Sequence, residues 1–235
     1  MSDSWTRLII SDTHIGSANA KESALLDMLQ NTEYDEIILA GDIIEFLRSP
    51  IFTKTSRDIL SVINEKSKSI IYIVGNHDIA FSDLIGSNIS NIRFLKRYEF
   101  NHYNRKFRIE HGDEYDSGLV TWRYAIEFVS FLQNMLERVF KIDLTTWHAN
   151  RQIKKRKLRR IWDIVKWNPD ADVFIMGHTH NPEVLIWVDK YENIKTYINS
   201  GDWIDNCTYV LIKDGQVRLR KHDWNDFDED TITIS

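Results

Sequence analysis

The feature that most limits what this chain can become is a set of short Gly-, Asp- and His-bearing sequences, most of them set just after an apolar run of strand length. They read Asp12-Thr13-His14, Gly41-Asp42, Gly75-Asn76-His77-Asp78, His111-Gly112-Asp113 and Gly177-His178-Thr179-His180. Only nine glycines occur in 235 residues, and five of them (Gly41, Gly75, Gly112, Gly177 and Gly201) adjoin a potential metal ligand or another acid. Chance composition does not explain that clustering. A residue without Cβ lets the backbone turn sharply and approach a bound group closely, and in open α/β sheets the strand ends are where ligands bind.

The apolar runs alternate with amphipathic stretches through the first 80 residues, which favours a layered α/β domain. Strands are predicted over 7–11, 36–40 and 69–74, and helices over 22–30 and 56–65, with Leu25, Leu26 and Leu29 as the inward stripe of the first. Pro50 falls in the loop before the second helix. Short strands follow near Arg93 and Tyr98 and over 106–110, then over 173–176, 184–188, 195–199, 208–212 and 217–221. The expected fold is a two-sheet α/β sandwich, one domain over 1–235 with a helical insertion at about 118–168.

In the first half of that insertion, 14 of the 22 residues from 119 to 140 are apolar, but no apolar run exceeds three, so a membrane span is excluded. The second half carries seven Lys or Arg among residues 151–160, beside a stripe of Leu158, Ile161, Trp162 and Val165. The cationic part, from Lys154 to Arg160, is either a solvated face or a contact for the phosphates of a nucleotide, an anionic lipid surface or a nucleic acid backbone. Hydrophobic residues at 43% and charged residues at 28%, with three Pro, exclude collagen-like, low-complexity and disordered chains. Cys207 stands alone, so no internal disulfide forms, and the start lacks the basic-then-apolar plan of a secretory signal. The expected location is cytoplasmic, with the cationic stretch as a means of peripheral membrane contact. The formal charge of -5 averages that stretch with an acidic end over 223–230.

Asp12 and His14 are spaced so that an extended backbone would point both the same way, and His178 and His180 repeat the spacing. With Asp42, Asn76 and His111 these give seven oxygen and nitrogen donors. Seven is too many for one tetrahedral ion with an open position and suits two ions sharing a carboxylate, for which Asp42 is the natural bridge. Each piece alone is common turn chemistry. Together, in order, they take in five of the eight histidines, and His102, His148 and His222 default to structural or surface roles.

This ordered set resembles the signature of the calcineurin-like metallophosphoesterase superfamily: Asp-x-His, Gly-Asp, Gly-Asn-His-Asp/Glu, a later His, and Gly-His-x-His. The resemblance covers roughly residues 7–203. It implies one metal held by Asp12, His14, Asp42 and His180 and a second by Asp42, Asn76, His111 and His178. It also implies a catalytic role for His77 as acid or charge stabiliser, oriented by Asp78. Within the superfamily, Gly-Asp-Ile-Ile-Glu-Phe (41–46), His-Gly-Asp-Glu-Tyr-Asp (111–116) and Asn-Ser-Gly-Asp-Trp (199–203) are most similar to the branch related to UDP-2,3-diacylglucosamine pyrophosphatase. That enzyme typically has Arg where this chain has His77, so a relative with another substrate is implied at least as strongly.

The expected function is a phosphoesterase with two divalent metal ions, cleaving a phosphate ester or pyrophosphate bond of a phosphorylated substrate, either a nucleotide-lipid or a small phosphoester. The donors suit Mn²⁺, Fe, Zn²⁺ or Co²⁺; the resemblance favours Mn²⁺. A nuclease using the basic stretch is the alternative. A non-catalytic scaffold of the same fold expects lost donors, and all seven are present.

Overall fold

A computed structural model of the chain describes residues 5–46, 50–115, 168 and 170–223. The chain divides into two compact units, 1–111 with 171–235, and 112–170. In the second unit the described residues comprise a short 3₁₀ turn at Asp113–Tyr115, whose Tyr115 hydroxyl accepts from the Asn168 amide at 2.8 Å. The helical insertion expected at about 118–168, with its residues Lys154 to Arg160, lies outside the described residues apart from Asn168.

The first unit is the expected two-sheet sandwich. Its elements in order are β1 (Arg7–Ile10), α1 (Glu22–Asn31), β2 (Glu36–Ala40), α2 (Lys54–Lys66), β3 (Ser69–Ile73), β4 (Asn88–Ile89), β5 (Ile92–Leu95), β6 (Arg97–His102), β7 (Arg105–Glu110), β8 (Val173–Met176), β9 (Glu183–Val188), β10 (Ile194–Asn199), β11 (Thr208–Lys213) and β12 (Gln216–Lys221). One sheet has the order β12-β11-β1-β2-β3-β5-β4 and the other β6-β7-β8-β10-β9.

The alternation of side chains along each strand decides the layering. On β1, Leu8 and Ile10 face α1 and α2, packing with Leu25, Leu29, Ile59 and Ile63. Ile9 points the other way, into the core between the sheets, with Ile38, Ile71, Phe107, Val173, Ile175 and Ile198. Burial on both faces explains why these strands read as unbroken apolar runs. Helix α2 begins two residues before the expected Ser56 because Thr53 caps it: the Thr53 hydroxyl accepts from Ser56 N–H, and the Ser56 hydroxyl accepts from Thr53 N–H. Among the described residues, no helix is long and apolar enough to cross a membrane.

Strands β1, β2 and β3 run parallel in register, as do β7 and β8. Parallel pairing puts their carboxyl ends on one edge of each sheet, which gathers the segments after Ile10, Ala40, Ile73, Glu110 and Met176. At the opposite end, Arg7 joins the sheets. Its Nε donates to Glu36 at 2.9 Å, its Nη1 lies 3.4 Å from His102 Nδ1, and its guanidinium sits 4.4 Å from the centre of the Phe100 ring. Both Arg7 and Glu36 are about 5% exposed, so cutting Arg7→Met strands a buried carboxylate. That change is expected to cost about 3–5 kcal/mol in urea unfolding; a loss within 1 kcal/mol of zero, the level typical of exposed pairs, would contradict this reading of the pair.

Candidate metal centre

The backbone at the strand ends does not continue extended, as the Asp-x-His and His-x-His spacings suggested. Asp12, His14, Asp42, His178 and His180 all take the left-handed conformation, with φ of 51°, 46°, 55°, 64° and 55°. Five such residues at one edge store strain, since this region is sterically costly for residues with a Cβ. Hydrogen bonds hold them there: Asp12 N–H donates to Gly41 O at 3.0 Å, His14 N–H to Asp42 O at 3.1 Å, and His178 N–H to Asp12 Oδ2 at 2.9 Å. The coil turns successive functional side chains differently from a pleat. His178 and His180 therefore separate into different clusters, although their spacing alone suggested a shared direction.

Among the described residues one cluster joins Asp12, His14 and His180 and a second Asp42, His111 and His178, while a third group, His14, Glu45 and His77, shares His14 with the first; in each the ligand atoms lie within 4.8 Å of one another. The His14 and His180 rings are 5.3 Å apart and the His111 and His178 rings 5.1 Å. Asn76 Oδ1 joins the second cluster at 3.1 Å from His111 Nε2. His77 sits beside both: its ring centroid is 4.7 Å from that of His14, its Nε2 is 4.0 Å from Asp42 Oδ2, and its backbone N–H donates to Asp42 Oδ1 at 2.8 Å.

The hydrogen-bond partners of the imidazoles test whether a divalent cation suits these positions. His14 Nδ1 is 3.1 Å from Glu45 Oε2, so the ring donates there and leaves a lone pair on Nε2. That Nε2 is buried and has no partner, an arrangement that is costly unless something electron-poor fills it. His111 donates from Nδ1 to Ala40 O at 3.0 Å. Its Nε2 then faces Asn76 Oδ1 and Asp42 Oδ2, each at 3.1 Å. Three acceptor atoms converge, and only a proton or a metal ion reconciles them. The residues fit a cation that accepts nitrogen and oxygen ligands.

The charges agree. Burial alone would push the Asp42 carboxyl up, but its hydrogen bond and ion pairing with His111, helped by His77, hold it well below the usual carboxylate range. Burial likewise opposes ionisation of His180, yet Asp12 and Asp202 on its two sides outweigh that and raise it to about 10.

Two acids take roles that the sequence did not assign to them. Glu45 accepts from His14 Nδ1 and also from His77 Nδ1, which is 3.0 Å from both carboxylate oxygens. Asp78, expected to orient His77, is fully buried beneath the loop. Its carboxylate accepts from Ile43 N–H at 3.1 Å, Ile44 N–H at 3.0 Å and the Tyr72 hydroxyl at 3.0 Å. Neighbouring residues at this turn point to opposite sides, so the carboxylate on the His77 side comes from Glu45 and Asp78 braces the Gly41–Asp42 turn. Asp202 is the other acid, 3.5 Å from His180 Nδ1. Both stand in the 41–46 and 199–203 segments singled out above, but nothing in their spacing tells which imidazole each would meet. Outside the cluster, His102 is buried between Arg7 and Gly215 N–H, and His222 pairs with Asp27 at 3.0 Å.

Glycine is required where the backbone passes against the ligands. A Cβ on Gly177 would collide with Asp12 Oδ2 and Ser11 Oγ, and one on Gly75 with Asp42 Oδ1. Gly177→Ala is expected to weaken Mn²⁺ binding in calorimetric titration by about tenfold or more, the scale on which displaced supporting contacts act; unchanged affinity would show that the carboxylate position does not matter. The metal-free protein should also show a pH signature. His180 is raised from 6.5 to about 10 in the folded state, so its contribution to stability is complete below pH 6.5 and is lost as the pH rises through about 10. The melting temperature in chelator should fall between pH 7 and 9, below the range where tyrosines ionise, and His180→Asn should flatten that fall. A wild-type curve no steeper than the variant's would refute it.

The sequence model of the calcineurin-like phosphoesterase family matches residues 6–182. A protein of Tolumonas auensis, UDP-2,3-diacylglucosamine hydrolase, is 22% identical over 238 residues, covering 91% of this chain and 96% of its own. Among solved structures, an archaeal phosphodiesterase is 14% identical with a TM-score of 0.47, covering 92% of this chain and 99% of its own. Vacuolar Protein Sorting 29 from Cryptosporidium parvum is 14% identical with a TM-score of 0.45, covering 93% and 96%. The match to the family model extends over three quarters of the sequence and takes in every residue of the two clusters; the chain belongs to the calcineurin-like phosphoesterase family.

Proposed function

We propose that this chain is a dinuclear, metal-dependent phosphoesterase hydrolysing a phosphate ester or pyrophosphate bond, with Asp12, His14, Asp42 and His180 holding one ion and Asp42, Asn76, His111 and His178 the other. The observation that carries the reading is the buried, unpartnered Nε2 of His14, set within reach of Asp12 and His180. When bound, two divalent ions supply charge screening of the phosphoryl oxygens and a water of lowered pKa. Mn²⁺ is favoured.

The chain's own residues provide the rest. Asp42 is buried and ionised, with its Oδ1 fixed by His77 N–H and its Oδ2 beside His111, which is where a carboxylate shared by two ions belongs. His77 is open on one side, with 27% of its side chain exposed. With Nδ1–H given to Glu45, it is the doubly protonated ring that carries a second N–H on Nε2 to hand to the departing oxygen, as a proton or a hydrogen bond, the role in which a positioned imidazole is effective. The buried face of Glu45 at the same time fixes His14, so the proton donor and a metal ligand are locked to one carboxylate.

Similarity to a UDP-2,3-diacylglucosamine hydrolase supports a nucleotide-lipid or small phosphoester. His77 in place of the Arg typical of that enzyme favours a substrate other than the enzyme's own. A nuclease employing Lys154 to Arg160 is the second reading, supported by the density of cations there, and the same stretch would serve contact with an anionic membrane surface. p-Nitrophenyl phosphate, its bis ester, UDP-sugars and single-stranded DNA separate these readings. Mn²⁺ is expected to activate cleavage of at least one; full activity after exhaustive chelation would contradict the mechanism. Asp42→Ala should abolish turnover and release metal, whereas His77→Ala should lower kcat by roughly 10²–10⁴ with metal content intact. Metal loss from the His77 variant would overturn the division of roles.

A further inference from the structure

One buried acid lies behind the first cluster without being one of its proposed ligands. Asp202 is fully buried, and its two oxygens do different things. Oδ1 accepts three backbone N–H groups, from Ile204 at 2.9 Å, Asp205 at 2.7 Å and Asn206 at 3.0 Å, which ties the 202–206 turn. Oδ2 accepts the Asn206 amide at 2.8 Å and lies 3.5 Å from His180 Nδ1. The same Asn206 amide donates to His180 O at 2.8 Å, and Trp203 N–H donates to Asp12 O at 3.1 Å. Just ahead of the turn, Asn199 and Ser200 brace the loop that carries the two histidines: the Asn199 amide donates to Gly177 O and Thr179 Oγ1, each at 2.8 Å, and the Ser200 hydroxyl to Met176 O at 3.1 Å. The 199–206 segment therefore bears on both Asp12 and His180.

The other nitrogen of His180, Nε2, points at Asp12 Oδ1, 3.2 Å away. A neutral imidazole carries one N–H, and whichever nitrogen holds it cannot bind a cation. We propose that Asp202 is a positioning residue that fixes the tautomer of His180: by accepting Nδ1–H it keeps the lone pair on Nε2, on the side of Asp12 and His14. The inference rests on the metal-centre reading above and adds to it a residue that touches neither ion nor substrate. It also explains why an acid, rather than an amide, stands at 202. Asparagine would satisfy the three backbone donors equally well through Oδ1, but would present N–H to His180 and drive the proton to Nε2.

Asp202→Asn preserves the three backbone ties through Oδ1 and reverses the group that faces the imidazole and the Asn206 amide. In calorimetric titration of the full chain with Mn²⁺, the variant is expected to lose ten- to a hundredfold affinity, the usual effect of removing a carboxylate behind a metal-bound histidine, at one of two sites while the other is unchanged. In a His180→Ala background the same substitution should have no further effect, since the two residues act as one unit. Wild-type affinity at both sites in Asp202→Asn, or losses that simply add in the double variant, would overturn the inference while leaving the metal-centre reading intact. Failure of the wild type to bind Mn²⁺ at all would overturn both. A second measurement does not depend on how the variants fold: in the Zn²⁺-loaded wild type, long-range ¹H–¹⁵N spectra should show His180 protonated at Nδ1, and a proton on Nε2 would contradict the proposal.

Discussion

Lone pairs that face one another across a buried space are the constraint on which this structure turns. His111 Nε2, Asn76 Oδ1 and Asp42 Oδ2 meet within hydrogen-bond distance, yet the ring's one neutral N–H is already given to Ala40 O. His14 Nε2 is buried with no partner. Such groups are costly in a fold unless a proton or a cation reconciles them. The protein does not relax the arrangement, because each donor is pinned from behind by the backbone or by a carboxylate: Ala40 O behind His111, Glu45 behind His14 and His77, Asp202 behind His180.

Holding these groups together has a cost elsewhere in the chain. Five of the functional residues sit at left-handed φ, and glycines at 75 and 177 make room for the Asp42 and Asp12 carboxylates. Local strain of this kind, of order 1–3 kcal/mol per residue, persists only when the surroundings over-determine the conformation. The two cores do so. Unbroken apolar strands buried on both faces fix the register of β1, β2 and β3, and Arg7, paired with Glu36 in its own sheet and set against His102 and Phe100 of the other, ties the sheets at the far end, so the carboxyl edge can carry polar, strained turns.

The sandwich was legible in the sequence because burial on both faces leaves nearly continuous β-branched runs, and the runs at 36–40 and 173–176 coincide with β2 and β8. The two-residue β4 at Asn88–Ile89 was not legible: two exposed residues leave no pattern. At the site, residue types and order pointed to the donors, since Gly, Asp and His clustered at strand ends have few other uses. The backbone that presents them could not be read. Spacing by two suggested a pleat, whereas left-handed turns aim the side chains and send His178 and His180 to different clusters. The acids behind the imidazoles were hidden for a related reason: Asp78 is next to His77 in sequence but faces the opposite side, and Glu45 reaches it from another loop. Tertiary geometry, not local spacing, decides which carboxylate orients which ring.

Anomalous diffraction from crystals grown with Mn²⁺ bears most directly on whether these donors form a paired metal centre. Two peaks a few ångströms apart are expected, one bounded by Asp12, His14 and His180 and the other by Asn76, His111 and His178, with Asp42 between them. A fully occupied single peak, or density at neither cluster in the presence of excess Mn²⁺, would contradict a dinuclear centre built from these residues.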